Sequence, residues 1–306
     1  MRLVFAGTPA VAVPSLRALA AGPHEIAAVV TRSDAPLGRK RVLTPSPVAQ
    51  AADELGIPVL KADRLDADVT ARIAALEPDL GVIVAYGGLV REPLLSTPAH
   101  GWINLHFSLL PRWRGAAPVQ RALMAGDAVT GAAVFQLVAA LDAGDVFAEE
   151  RYDVPAGATS ADVLDDLAGI GAPLLARVVD GIADGTAVAT PQLGEPTLAP
   201  KLTLDDGALD LSRDAESLLH QIAGVTPEPG AHTTLDGARF KVLRAAATAD
   251  APPVAPGRVV ASGKDVLVGT GTTPLRLESV QPAGKGAMSA GDWFRGLRSS
   301  EPVLGA

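Results

Sequence analysis

Residues 104–118 read NLHFSLLPRWRGAAP. A short apolar run ends in two polar side chains, Asn104 and His106, spaced two apart. In a strand, successive side chains alternate faces, so this spacing places both on the same side. Residues that bend the backbone follow at once: Ser108, Pro111, Gly115 and Pro118. Polar groups at the carboxyl end of a strand, with a shaped loop beyond them, are how an open α/β sheet builds a site. An amide beside an imidazole suits a reaction in which a carbonyl oxygen gains negative charge. By spacing alone, a structural pair bonded to the loop backbone is an equal reading.

Outward from this stretch, the first 150 or so residues alternate strand-like and helix-like segments. Strands are expected at 2–6, 26–30, 58–60, 80–85 and 103–105, and helices at 13–20, 48–55 and 69–76. This alternation implies a doubly wound α/β domain, with a mostly parallel sheet covered by helices on both faces. Two further strands, at 132–138 and 147–154, are joined by the tight segment LDAGD at 141–145. Residues 160–184 carry Val163, Leu167, Ile170, Leu174 and Val178 at three- and four-residue steps, the apolar face of a helix. Ser160 suits its N-cap, and Gly185 its end.

From Thr190 the texture changes. PQLGEPTLAPKLT has three prolines in 13 residues and no period, as an extended linker does. A helix is expected at 215–223, then closely spaced strands at 240–244, 257–261, 266–269 and 275–280, a pattern that fits a small β-barrel. The expected layout is a catalytic domain over 1–189, a linker over 190–203 and a barrel domain over 204–306.

Composition narrows the function. The chain has 306 residues, 48% hydrophobic and 20% charged, enough to build a sizeable core. It contains no cysteine, which excludes disulfides, thiolate metal sites and a thiolate nucleophile. The five histidines are scattered, with no HExxH pair, so no dedicated metal site is expected. No apolar stretch approaches the roughly 20 residues that span a bilayer. The net charge is −8, and residues 204–306 hold 12 acidic and 10 basic side chains against 22 and 16 in the remainder. Any contact with nucleic acid must therefore be local. Two basic sets are candidates. One is Arg32, Arg39, Lys40 and Arg41 in the long connection 31–48; the other is Lys285, Arg295 and Arg298, near Trp293 and Phe294. A solvated surface explains either set as well.

Other features argue against rival chemistries. The turn Gly7-Thr8-Pro9 after the first strand has one glycine of the three that a dinucleotide fingerprint needs, so no nicotinamide cofactor is inferred. Ser108 lacks the strand–elbow–helix context of a nucleophilic serine. Asp142 and Asp145 both suit a turn, and a carboxylate near His106 would tune the imidazole and accept a proton.

NLHFSLLPRWRGAAP closely resembles the signature of the methionyl-tRNA formyltransferases, within the wider folate-dependent formyltransferases. VFAGTP at 4–9, GRKRVLTPSPV at 38–48, VIVAYG at 82–87, LDAGD and QPAGKGAM at 281–288 resemble further family segments in the same order. The resemblance spans nearly the whole chain. It implies a formyltransferase Rossmann-like domain followed by an OB-like barrel that grips tRNA. It further implies formyl transfer from 10-formyltetrahydrofolate to the α-amine of methionyl-initiator tRNA, without a metal, by a cytoplasmic monomer. Catalytic roles fall by resemblance to Asn104, His106 and Asp142, with Asp142 chosen over Asp145 as the first acid of the LDxG turn. The folate site falls to Ser108, Leu109, Leu110 and Pro111, and tRNA contacts to Arg39, Lys40, Arg41 and Lys285. Phe107 departs from the glycine or alanine of many members, and the basic loop reads RKRV where others carry a further lysine. A sister enzyme acting on a sugar-nucleotide amine or a purine precursor is the alternative, against which the basic loop and the barrel speak.

Overall fold

The computed structural model describes residues 1–38, 41–248, 251–297 and 302–305, in two compact units. The first comprises Met1–Pro118, Val129–Asp153 and Leu164–Ala199; the second comprises Val119–Ala128, Val154–Val163 and Pro200–Ala306.

The first unit holds β1 (Arg2–Gly7), β2 (Glu25–Thr31), β3 (Ala35–Leu37), β4 (Val42–Thr44), β5 (Val59–Lys61), β6 (Leu80–Val84), β7 (Trp102–His106), β8 (Arg114–Gly115), β9 (Val129–Gln136), β10 (Val146–Asp153) and β11 (Leu198–Ala199). Seven of these make one sheet in the order β10-β9-β7-β6-β1-β2-β5. The run from β5 to β7 is parallel, and β9 and β10 add antiparallel. The order reverses beside β1, so the carboxyl ends of β1, β6 and β7 lie where doubly wound sheets receive ligands. The central strands are near-continuous apolar runs because both faces are covered: Leu3, Val4, Phe5 and Ala6 are fully buried.

Helices α1 (Val13–Ala20), α2 (Pro47–Glu54) and α3 (Ala67–Ala74) connect the parallel strands, α4 (Pro118–Met124) follows the loop after β8, and α5 (Ser160–Asp184) follows β10. On one face, Ile73 of α3 packs with Val4, Ala6, Ile83 and Trp102. On the other, α5 comes so close to β7 that a Cβ on Gly171 would stand 2.8 Å from the Leu105 side chain. The periodic face of α5 buries Val163, Leu167, Leu174 and Val178 as expected. Ile170 is half-exposed, and the buried stripe turns to take in Leu175 and Val179.

α5 spans the expected residues, but its cap lies one residue earlier than expected. Thr159, not Ser160, makes the cap: its N–H and hydroxyl both donate to Asp162 Oδ2, at 2.9 and 2.7 Å. These bonds hold the Asp162 carboxyl below the usual range. Ser160 instead donates its hydroxyl to the Thr226 carbonyl.

Two further features lie outside the sequence reading. Within 31–48, β3 and β4 form an antiparallel hairpin, with Pro36 opposite Leu43. Residues 190–199, extended as expected, are also paired: Thr190 bridges Val146, and β11 runs parallel to β8.

The second unit carries α6 (Ala215–Val225), β12 (His232–Leu235), β13 (Ala238–Ala247), β14 (Val259–Ser262), β15 (Asp265–Val268), β16 (Leu275–Pro282), β17 (Met288–Ser289) and α7 (Ala290–Arg295). Its antiparallel sheet has the order β12-β13-β16-β15-β14, with β17 on β16. Residues 302–305 bridge the two edges. Leu304 N–H donates to the Gly257 carbonyl and Gly305 N–H to the Thr234 carbonyl, both at 2.8 Å. The sheet thereby curls around a core that includes Phe240 and Trp293, whose ring centroids are 4.6 Å apart.

In the first unit β6 and β7 approach closely because Gly81 has no side chain: a Cβ there would lie 2.1 Å from the Trp102 ring. Gly81→Ala is therefore expected to destabilise the protein by about 1–3 kcal/mol, as overpacking of a filled core does. Thermal unfolding checks this, and an unchanged or higher midpoint would contradict the packing described.

Candidate active site

β7 supplies the first two groups. Its register against β6 and β9 pairs Asn104 with Ile83 and Phe135, and His106 with Ala133. By strand alternation, Asn104 and His106 share a face, while Leu105 points to α5. Asn104 is half-buried, and no hydrogen bond among the described residues engages its carboxamide. His106 is buried, with its ring edge-on to Phe135. Its Nε2 lies 2.9 Å from the Trp113 carbonyl. A carbonyl only accepts, so Nε2 carries the proton.

The turn after β9 supplies the third group. Asp142 takes a left-handed backbone conformation, φ 44°, which costs a non-glycine residue roughly 1–2 kcal/mol. The turn is held by several bonds. Asp142 Oδ2 accepts from the Gly115 amide at 2.7 Å. The Gln136 amide donates to the Asp145 carbonyl at 2.8 Å. Gly144 is obligatory, since a Cβ there would fall 1.7 Å from the Gln136 carbonyl oxygen. This geometry brings Asp142 Oδ2 to 3.9 Å from His106 Nδ1, beyond direct hydrogen-bond length. The side chain of Asp145 is exposed, so Asp142 is the aspartate of the turn that faces His106.

Burial pushes His106 below its usual pKa, against the opposing pull of the Asp142 carboxylate and the Trp113 carbonyl. A neutral imidazole with its proton on Nε2 turns a bare Nδ1 toward Asp142. The cluster thus offers an unspent amide donor, a neutral base and a fixed carboxylate on neighbouring loops.

Of the four residues expected at a folate site, Ser108 is fully buried and donates its hydroxyl to the Arg112 carbonyl at 2.6 Å. Leu110 packs with Ala133 and Phe135, and Pro111 is buried, which leaves Leu109 half-exposed. Arg41 and Lys285 are exposed, on the β3–β4 turn and on the turn after β16. Arg39, Lys40 and Arg298 lie outside the described residues. Arg295 pairs with Asp292. Among the described residues, no group of three or more His, Asp or Glu side chains is placed to hold a metal ion. No helix among them is long and apolar enough to cross a membrane.

The profile of the formyl transferase family matches residues 1–179, and that of the formyl transferase C-terminal domain matches residues 201–298. The chain belongs to the formyl transferase family. It is 64% identical over 303 residues to a methionyl-tRNA formyltransferase of Clavibacter sepedonicus, covering 99% of each chain. It is 52% identical over 300 residues to a protein of the same name from Thermobifida fusca, covering 97% of each. Solved structures share its fold at low identity. An N-formyltransferase from Helicobacter canadensis, solved with folinic acid and dTDP-3-aminofucose, matches with TM-score 0.69 at 13% identity, over 92% of this chain and 98% of that one. HypX from Aquifex aeolicus, solved with tetrahydrofolic acid, matches with TM-score 0.62 at 17% identity, over 96% of this chain and 47% of that one.

Sequence reasoning missed the groups that hold the cluster together: the Gly115 amide, the Trp113 carbonyl, Arg114 and Gln192. Backbone donors and acceptors leave no residue-type signal. Gln192 sits in a stretch whose only pattern is its prolines.

The depressed pKa of His106 has a signed consequence. Its stabilising contribution is fully present above the unfolded value of 6.5 and is lost as the pH falls toward the lower folded value. Wild type compared with His106→Gln by urea unfolding should therefore lose relative stability as the pH drops below 6.5. A wild-type advantage that grows in acid would contradict a buried neutral imidazole.

Proposed function

We propose that this chain transfers the formyl group of 10-formyltetrahydrofolate to the α-amine of methionine on initiator tRNA. The observation that carries this reading is its 64% identity, over 99% of both chains, to a relative named methionyl-tRNA formyltransferase. The Asn104, His106 and Asp142 cluster has the chemistry that the transfer needs.

The neutral amine attacks the formyl carbon, and the formyl oxygen gains negative charge. The Asn104 carboxamide donates to that oxygen. The C–N10 bond then breaks, N10 takes a proton and the amine nitrogen loses one. Nδ1 of His106 and the Asp142 carboxylate carry that proton between the two nitrogens, through water where they are too far apart for direct contact. His106 spends its Nε2 proton on the Trp113 carbonyl, so in this geometry the oxyanion donor is Asn104 rather than the imidazole. No step draws on a metal.

Leu109 and the backbone of residues 108–111 line the folate side. Arg39, Lys40 and Arg41 of the basic stretch GRKR, together with Lys285 of the second unit, meet tRNA phosphates. The protein works as a cytoplasmic monomer.

The direct test supplies 10-formyltetrahydrofolate with methionyl-initiator tRNA, methionyl-elongator tRNA or an amino-sugar nucleotide. Formyl on the initiator species alone is expected, and formyl on the sugar alone would overturn the reading. Asn104→Ala should lower turnover ~100- to 1,000-fold with the fold intact; a near-normal rate would remove Asn104 from the mechanism. Affinity for tRNA should fall steeply as salt rises, because phosphate contacts release counterions. Binding that is flat from low to high salt would count against the basic contacts.

A further inference from the structure

Gln192 lies in the proline-rich stretch, and its side-chain hydrogen bonds join the two loops that fix Asp142. Its Nε2 donates to the Asp142 carbonyl and to the Gly144 carbonyl, each at 2.8 Å. Its Oε1 accepts from Arg114 Nε at 3.1 Å and Arg114 Nη2 at 2.6 Å. Gly115, whose amide holds the Asp142 carboxylate, is the next residue after Arg114. Both halves of the amide are thus used, donors on the aspartate turn and acceptor on the loop that grips it.

The neighbouring chain is fastened at the same places. The Thr190 amide donates to the Val146 carbonyl and Thr197 Oγ1 accepts from the Trp113 amide, each at 2.9 Å. Beyond it, β11 pairs with β8. A left-handed aspartate persists only where its surroundings over-determine it. Gln192 supplies two of the bonds that do so, and Arg114 sets the plane of its amide.

We infer that Gln192, oriented by Arg114, is a positioning residue that holds Asp142 in its left-handed turn at His106. The inference rests on the formyl-transfer reading for its kinetic consequence but not for its geometric one. A glutamine at this site cannot be exchanged for glutamate. Gln192→Glu keeps an acceptor for Arg114 but has no donor for the two carbonyls. Gln192→Ala removes both.

The test combines two readouts on the full-length protein. The first is the ring ¹⁵N chemical shifts of His106 in wild type, Gln192→Ala, Gln192→Glu and Asp142→Asn. The second is formyl transfer to methionyl-initiator tRNA by the same proteins and by the Gln192→Glu, Asp142→Asn double variant. Both Gln192 variants are expected to move the His106 signals as Asp142→Asn does, with melting transitions that stay cooperative. Turnover should fall about 100-fold at little change in KM, the effect of moving a reacting group by an ångström. In the Asp142→Asn background most of that loss should vanish, because the two residues act as one unit. Unmoved His106 signals, or a loss of equal size in both backgrounds, would overturn the inference. A wild-type protein that formylates no methionyl-tRNA would instead overturn the functional reading, and the His106 signals would still decide the role of Gln192.

Discussion

The hydrogen bond from the Gly115 amide to the Asp142 carboxylate, at 2.7 Å, joins two loops that come from distant parts of the chain. One follows β7 and carries Trp113, whose carbonyl fixes the His106 ring. The other follows β9 and carries the aspartate in a left-handed conformation. Without that bond, the strand-end pair and the carboxylate would be separate features of the sheet. With it, the Asn104 carboxamide, the His106 ring and the Asp142 carboxylate are held on one rigid scaffold, which is what electrostatic preorganisation requires.

Burial sets the character of the pair. His106 is 6% exposed and Asp142 9%, so little water screens the two groups. Burial alone drives the imidazole neutral, and the carboxylate opposes it. The result is a base kept unprotonated near neutral pH, beside a carboxylate that can stabilise the cation once a proton arrives. The gap of 3.9 Å between them is beyond a direct hydrogen bond.

Much of this was legible in the residues. The two-residue step between Asn104 and His106 placed both on one strand face because strand geometry admits no other outcome. The apolar runs of β1, β2 and β6 named the central sheet, since strands buried on both faces leave little room for polar residues. α5 was read over its full length from its period. What escaped was fixed by partners rather than by pattern. The β3–β4 hairpin contains Pro36, which argues against a strand, and exposes Leu37, Val42 and Leu43, so no burial period marks it. Gln192 and β11 belong to a stretch whose partners, such as Asp142 and Arg114, are distant in the chain. Asp142 and Asp145 were equal candidates from the turn alone, and only the family resemblance and then the geometry separated them.

The central claim is that the Asn104 carboxamide is the donor waiting for the formyl oxygen. A crystal structure with a formyl-folate donor analogue bound measures it directly. The expected result is Asn104 Nδ2 within about 3 Å of the position that the oxyanion will occupy, with His106 Nε2 still on the Trp113 carbonyl. A formyl oxygen that instead meets His106, with Asn104 turned away, would contradict the account.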